Sequence, residues 1–226
     1  MQNRPTGYAV HNKAGLTLFY FCVSLILNCL GNALTVSLNL GSALWTASAV
    51  NLAHATPLSL AWILLLEGLF AITLIILFTR TIDWHRILGN LIFLVCFAYL
   101  VGGLSRVLAK TTLGDLNLIW RIMLDCSGII LIAIAISIYQ RVNVMLHPCD
   151  DLMQVIRFKF CRGNSTMGQL LSFSFPIVAI LLTWLFTGQL YAVNVGTVFS
   201  LLLQGYFVGW ADQHIFPQLK HRNLKI

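Results

Sequence analysis

The chain has 226 residues, of which 58% are hydrophobic and only 9% are charged, and its formal net charge is +7 at pH 7. A soluble domain has about 25% charged residues because its surface must face water. This composition therefore excludes an ordinary soluble fold and predicts one all-α integral membrane domain over 1–226. Basic loops beside a membrane account for the positive charge, so we expect no nucleic-acid partner.

The first apolar run follows a polar amino-terminal segment that contains Arg4 and Lys13. A secretory signal peptide has an apolar stretch of only about 7–15 residues, and this run is longer. The triplet Ala47-Ser48-Ala49 resembles a cleavage site, but we interpret the run as a retained first transmembrane helix.

About six apolar windows have lengths close to the roughly 20 residues that a helix needs to cross the hydrocarbon core. They are 16–39, 58–79, 86–108, 118–140, 168–187 and 190–211. Longer connectors, 40–57 and 141–167, follow the first and the fourth window.

The distribution of basic residues predicts the topology. If the amino terminus is cytoplasmic, eleven Lys and Arg residues lie inside and three lie outside. Cytoplasmic loops are enriched in Lys and Arg. We therefore predict a multi-pass protein of the bacterial inner membrane with both termini in the cytoplasm.

The segments YLVGG (99–103) and YFVGW (206–210) suggest an internal duplication. An ungapped alignment around them pairs Gly89 with Gly196, Tyr99 with Tyr206 and Gly102 with Gly209. Close helix packing is our first interpretation of Gly102 and Gly209, because small residues let helices approach closely in lipid.

Each copy of the repeat contains three spans. Because three is odd, the second copy enters the membrane upside down relative to the first. The sequence thus predicts two inverted three-helix repeats, at about 16–108 and 118–211. Many secondary transporters are built from inverted repeats, with substrate bound near the midplane between them.

The connectors correspond at an offset of 104, which places GSALWTAS (41–48) on MLHPCDDL (145–152) without a single identity. The first connector is predicted to form a short interfacial or partly inserted helix. In the second, Pro148 is placed to start a helix whose first turn contains Asp150 and Asp151.

Motifs in these connectors resemble those of the YczE/YyaS/YitT group of bacterial membrane proteins. The matching residues are Gly41 and Trp45 in the first connector, Pro148, Asp150 and Leu152 in the second, and Gly196 and Thr197 in the last span. Leu44 and Thr46 stand where that group has Pro and Asp. The resemblance implies a multi-pass architecture and a transport role, without a substrate.

Glu67 is an acidic residue near the centre of the second predicted span. An acidic residue there costs about 2.5–3.5 kcal/mol on insertion scales, so it should face protein or water. It is either a proton, ion or substrate group or a hydrogen-bonded structural residue. Asn28 and Asn32, four apart on one helix face, and Gln204 are candidate partners of Glu67 or ordinary interhelical hydrogen-bonding groups.

Two connector residues complete the candidate pathway, which comprises Glu67, Asn28, Asn32, Gln204, Trp45 and Asp150. Trp45 is either a pathway residue or an interfacial anchor. Asp150 is either a ligand group or a helix-start residue. Outside this set, Arg121 and Asp125 are spaced for a local ion pair, and Asp212 is expected to be interfacial.

The sequence contains none of the H-E-x-x-H, G-x-S-x-G or Walker motifs, and we expect no enzyme activity, cofactor or metal. The favoured function is a small secondary transporter or permease for an unknown small molecule or ion. The alternatives are a substrate-binding membrane subunit of a larger transport complex and a non-transporting scaffold or assembly protein. The expected partners are the lipid bilayer, the substrate, and either further copies of the chain or other subunits of a transport complex.

Overall fold

The computed structural model describes residues 7–221 and Leu224, with side chains from Ala14 onward, and this part of the chain is helical throughout. The α-helices are α1 (Gly7–Leu38), α2 (Leu44–Ala55), α3 (Leu60–Thr79), α4 (Trp84–Leu108), α5 (Leu118–Val142), α6 (Pro148–Lys159), α7 (Ser165–Thr187) and α8 (Val195–His214). A 3-10 turn at Thr112–Asp115 lies between α4 and α5. Of the basic residues used to predict topology, Arg4, Arg222, Lys225 and the side chain of Lys13 lie outside the described residues.

Five of the described helices are long and apolar enough to cross a membrane: α1 from Ala14, α3, α4, α5 and α7. The predicted all-α, multi-pass membrane class is therefore confirmed. The window predicted at 190–211 corresponds to α8, which is not among the five. Helix α8 contains the polar residues Gln204, Asp212 and Gln213.

Local sequence explains where several helices begin and end. Asp83, Asn117 and Asn164 cap α4, α5 and α7 by accepting hydrogen bonds from backbone N–H groups three residues later. Such caps satisfy amide groups that have no intrahelical acceptor. Gly188 ends α7 in the left-handed conformation, φ +68°, which glycine adopts without steric cost.

The two connectors each contain a short helix. Both α2 and α6 have 12 residues, a length of roughly 18 Å, whereas the hydrocarbon core is about 30 Å thick. Asn39 and Asn143 follow the preceding long helices in left-handed conformations, with φ of 52° and 53°. Pro148 occupies the first turn of α6, as predicted, and Asp150 and Asp151 lie in that turn.

Long helices surround the short ones. The described packing centres on α1 against α5, with α4 beside α1 and α8 beside α5. Helix α2 packs on α3 and α7, and α6 packs on the same two helices. The short helices are thus enclosed by protein.

The matched glycines differ in their surroundings. A Cβ on Gly196 would overlap the carboxylate of Asp125, and one on Gly209 would overlap the hydroxyl of Ser165. The close-packing interpretation is therefore confirmed for Gly209, and Gly196 also lies in close contact. Gly102 contradicts it, because no described atom lies within 4 Å of the position that its Cβ would occupy.

Candidate functional site

Glu67 lies where α3 meets both short helices. Its side chain is buried, with 8% of the residue exposed, and Ser48 of α2 donates a hydrogen bond to Oε1. At the next position, a Cβ on Gly68 would lie 3.6 Å from Pro148, the first residue of α6. A buried carboxyl group is therefore linked to α2 and lies beside the start of α6.

A second polar network links α1, α5 and α6. Asn32 Nδ2 donates to Asn28 Oδ1 at 2.6 Å, and Asn28 Nδ2 donates to the hydroxyl of Tyr139 at 3.4 Å. The Tyr139 hydroxyl in turn donates to Asp150 Oδ2. Three of the predicted pathway residues, Asn28, Asn32 and Asp150, are thus joined through a tyrosine that the sequence analysis did not select.

The protein environment shifts the pKa values of two side chains in the first turn of α6, Cys149 and Asp150. Burial raises the pKa of Asp150 to about 7; its hydrogen bond with Tyr139 opposes this shift, and the nearby charge of Asp151 adds to it. Burial is the main cause that raises the pKa of the Cys149 thiol well above its usual range, and the negative charges of Glu67 and Asp150 add to the shift. The thiol of Cys149 is therefore close enough to both carboxyl groups to sense their charge.

The other predicted pathway residues occupy different surroundings. Trp45 is buried in an apolar cluster with Cys149, Leu152 and Phe173, so it is not an anchor in the lipid headgroup region. Gln204 accepts a hydrogen bond from Ser200 of its own helix at 2.5 Å. The expectation that Asn28, Asn32 or Gln204 binds Glu67 is replaced by the hydrogen bond from Ser48.

Asp151 fixes α6 to α4. Arg86 donates to both carboxylate oxygens of Asp151, at 2.8 and 2.6 Å, and Asn90 donates to Oδ2 at 2.7 Å. This paired geometry is strong and specific because the guanidinium fork matches the carboxylate. Arg86 is one of the eleven basic residues counted on the cytoplasmic side, and no local pattern connects it with an acid 65 residues away.

The surroundings of Asp125 differ from those predicted from its spacing to Arg121. It does not form the expected ion pair with Arg121, which instead donates to the carbonyl oxygen of Leu38 at 2.5 Å. Both carboxylate oxygens of Asp125 are buried without a hydrogen-bond partner in the described part of the chain. They lie against Gly196 at the start of α8, where the helix dipole favours negative charge.

Asp212 lies in a network of basic and polar side chains at the end of α8. Its carboxylate lies 2.6 Å from Arg157 Nη2 and 3.4 Å from Arg141 Nε. Ser137 donates to it at 2.7 Å, and the His221 ring lies 3.3 Å away. Arg157, another of the eleven basic residues counted on the cytoplasmic side, therefore ties the end of α6 to the end of α8.

These features define a multi-pass helical membrane protein with two short helices enclosed among its long ones, and with buried carboxyl groups where the short helices meet α3 and α5. Within the described residues, no group of three His, Cys, Asp or Glu side chains is placed to hold a metal ion. The chain belongs to a family of unknown function, DUF6198, which it matches over residues 16–213. No curated protein and no solved structure matches it.

Proposed function

We propose that the protein is a small secondary transporter of the bacterial inner membrane rather than an enzyme. The observation that carries this proposal is the pair of short helices, α2 and α6, which meet the long helix α3 on either side of Glu67. Transporters commonly form substrate and ion sites from helices that do not cross the whole membrane. A buried carboxyl group at such a place is a typical proton or cation group.

Inverted repeats form the second part of the proposal. Helices α1 and α5 end at Leu38 and Val142, and α2 and α6 cover 44–55 and 148–159, all at the same offset of 104. The packing supports the same correspondence. The contact of α1 with α4 matches that of α5 with α8, and the contact of α2 with α7 matches that of α6 with α3.

This correspondence makes α8 the counterpart of α4 and hence a sixth span. A chain with six spans has both termini on one side, and the basic residues favour the cytoplasmic side. The proposed relation to the YczE/YyaS/YitT group is supported by where its motif residues lie. Gly41 lies just before α2, Trp45 lies in the first turn of α2, and Pro148 begins α6.

In the proposed mechanism, Glu67 exchanges a proton or a cation with the aqueous phase when the helices around α2 and α6 open. Ser48 holds the carboxyl group while the site is closed. Asp150 and Tyr139 form a second buried contact, which joins α6 to α5.

Cys149 provides a test that needs no knowledge of the substrate. Its side chain is buried and lies near Glu67 and Asp150, so alternating access should expose it to water part of the time. We expect a variant that retains only Cys149 to react with a membrane-impermeant, cationic methanethiosulfonate in liposomes. A variant that retains only Cys29, buried in α1, is the matched control and should stay unlabelled.

Glu67→Gln in the Cys149-only protein tests the carboxyl group itself. The thiol reacts faster at higher pH in any variant. The relevant quantity is therefore the labelling rate of the Cys149-only protein with Glu67, divided by the rate of its Glu67→Gln variant at the same pH. Ionised Glu67 slows the reaction of a thiol that senses its charge, whereas opening speeds it. Control of opening by Glu67 therefore predicts that labelling in the protein with Glu67 gains on labelling in Glu67→Gln as the pH rises from about 5 to about 8. Labelling of Cys29 as fast as Cys149, or no labelling of either, would overturn the transport proposal, and a constant ratio would remove Glu67 from it.

A further inference from the structure

A second polar site lies at the far end of α6, where α7 begins and α8 ends. A cavity of about 470 Å³ there is lined by four basic side chains and one acidic side chain. The basic residues are Arg141, Arg157, Lys220 and His221, and the acid is Asp212. Two arginines share the single carboxylate, so the cavity keeps an excess of positive charge.

Arg157 has one donor group that no described residue accepts. Its Nε donates to the carbonyl oxygen of Gly163 at 2.7 Å, and its Nη2 lies 2.6 Å from Asp212. Its Nη1 is buried without a partner among the residues described, although only 8% of the side chain is exposed. A charged donor left unsatisfied in a buried position is costly. Nη1 is closed off from the cavity as the side chain stands, and a rotation of the guanidinium toward the cavity would bring it to an acceptor there.

The amino-terminal end of α7 faces the same cavity. Asn164 and Ser165 line it, and the Asn164 side chain accepts from the backbone N–H of Met167. The N–H groups of Ser165 and Thr166 have no acceptor within the helix. A helix of 23 residues also places the positive end of its dipole here, which favours an anion.

We propose that this cavity binds a phosphate group. The phosphate oxygens accept from Arg157 Nη1 and from the first N–H groups of α7, while Lys220 adds charge at the rim. A groove of about 350 Å³ adjoins the cavity and shares Leu219, Lys220 and His221 with it. Leu16, Thr17 and Tyr20 of α1 form the other side of that groove, so an acyl chain fits beside the phosphate and an anionic phospholipid is the favoured source.

Native mass spectrometry of the detergent-purified protein tests the site with defined probes. Dioleoylphosphatidylglycerol should bind more tightly than dioleoylglycerol, which has the same chains and no phosphate. Lys220→Gln should weaken binding of the phospholipid about fivefold, the effect of one basic side chain near an anionic surface. Lys110→Gln, an equal charge change at another exposed lysine, should leave binding unchanged.

Arg157→Lys is the second variant, because lysine keeps a charge beside Asp212 but cannot supply the Nη1 donor. It should also weaken phospholipid binding, with folding checked by gel filtration. Inorganic phosphate is tested separately by thermal shift against chloride at equal ionic strength. Stabilisation by phosphate that Lys220→Gln abolishes, without preferential phospholipid binding, identifies free phosphate as the source. Equal binding of the two lipids without any phosphate effect, or equal behaviour of the two lysine variants, overturns the proposal.

Discussion

At the scale of single residues, buried polar groups in this protein find partners that are remote in sequence. Asn28 and Tyr139 are 111 residues apart, and Arg86 and Asp151 are 65 apart. Glu67 was recognisable in the sequence because an acid within an apolar span is costly wherever it points. Its partner Ser48 was not, because serine is common in such segments and only the packing of α2 on α3 selects this one.

Asp150 should make stability depend on pH. Its pKa is raised by burial from 3.8 to about 7, so the folded protein holds this proton more tightly than the unfolded chain. The stabilisation is fully present below the unfolded pKa and is lost as the pH rises through the folded pKa. We expect the Tm in detergent to fall between about pH 4 and about pH 8, and Asp150→Asn to reduce that fall.

Asp115→Asn is the matched control, since Asp115 is exposed in the 3-10 turn. It should retain the pH dependence of the wild-type protein in the same thermal scans. A slope as steep in Asp150→Asn as in wild type would show that the raised pKa of Asp150 does not govern this dependence.

At the scale of helices, the long apolar helices could be predicted from the sequence, whereas the short helices could be predicted only in part. Length and apolarity identify α1, α3, α4, α5 and α7 because lipid imposes both. The start of α6 was predicted correctly from Pro148, its first residue. The sequence left the depth of α2 open between an interfacial and a partly inserted helix, because its small, uncharged residues suit both. Contacts with α3 and α7 decide that it is enclosed.

The turn between α1 and α2 should be sensitive to a single methyl group. Gly41 has φ +115°, and its Cβ would lie 2.8 Å from the backbone nitrogen of Thr197. Gly41→Ala therefore combines backbone strain with a clash against α8. Gly188 also has a positive φ, +68°, but nothing described lies within 4 Å of its Cβ position.

We expect Gly188→Ala to cost about 1–2 kcal/mol through conformation alone, and Gly41→Ala to cost about 1–3 kcal/mol more through overpacking. Reversible unfolding in mixed micelles measures both. Equal destabilisation of the two variants would mean that α2 is not held closely against the start of α8.

At the scale of the whole molecule, the proposed topology can be tested with exposed positions. In a variant without its six native cysteines, Ala55→Cys and Gln189→Cys should react with an impermeant maleimide in intact spheroplasts. Arg162→Cys should react only after the membrane is opened. These three residues are exposed. Ala55 is the last residue of α2, and Gln189 and Arg162 lie in the segments after α7 and α6. Labelling of position 162 but not 55 in intact spheroplasts would invert the orientation.

The pairing of Arg86 with Asp151 has a consequence for how the protein is made. Ribosomes add about 5–20 residues per second, so the 65 residues between them take roughly 3–13 s to synthesise. In the later part of that interval α4 is complete but the acidic partner of Arg86 has not been made, and α3 likewise awaits α6. The amino-terminal half therefore enters the bilayer as an unfinished assembly, and a chain truncated before α6 should be a substrate for membrane quality-control proteases.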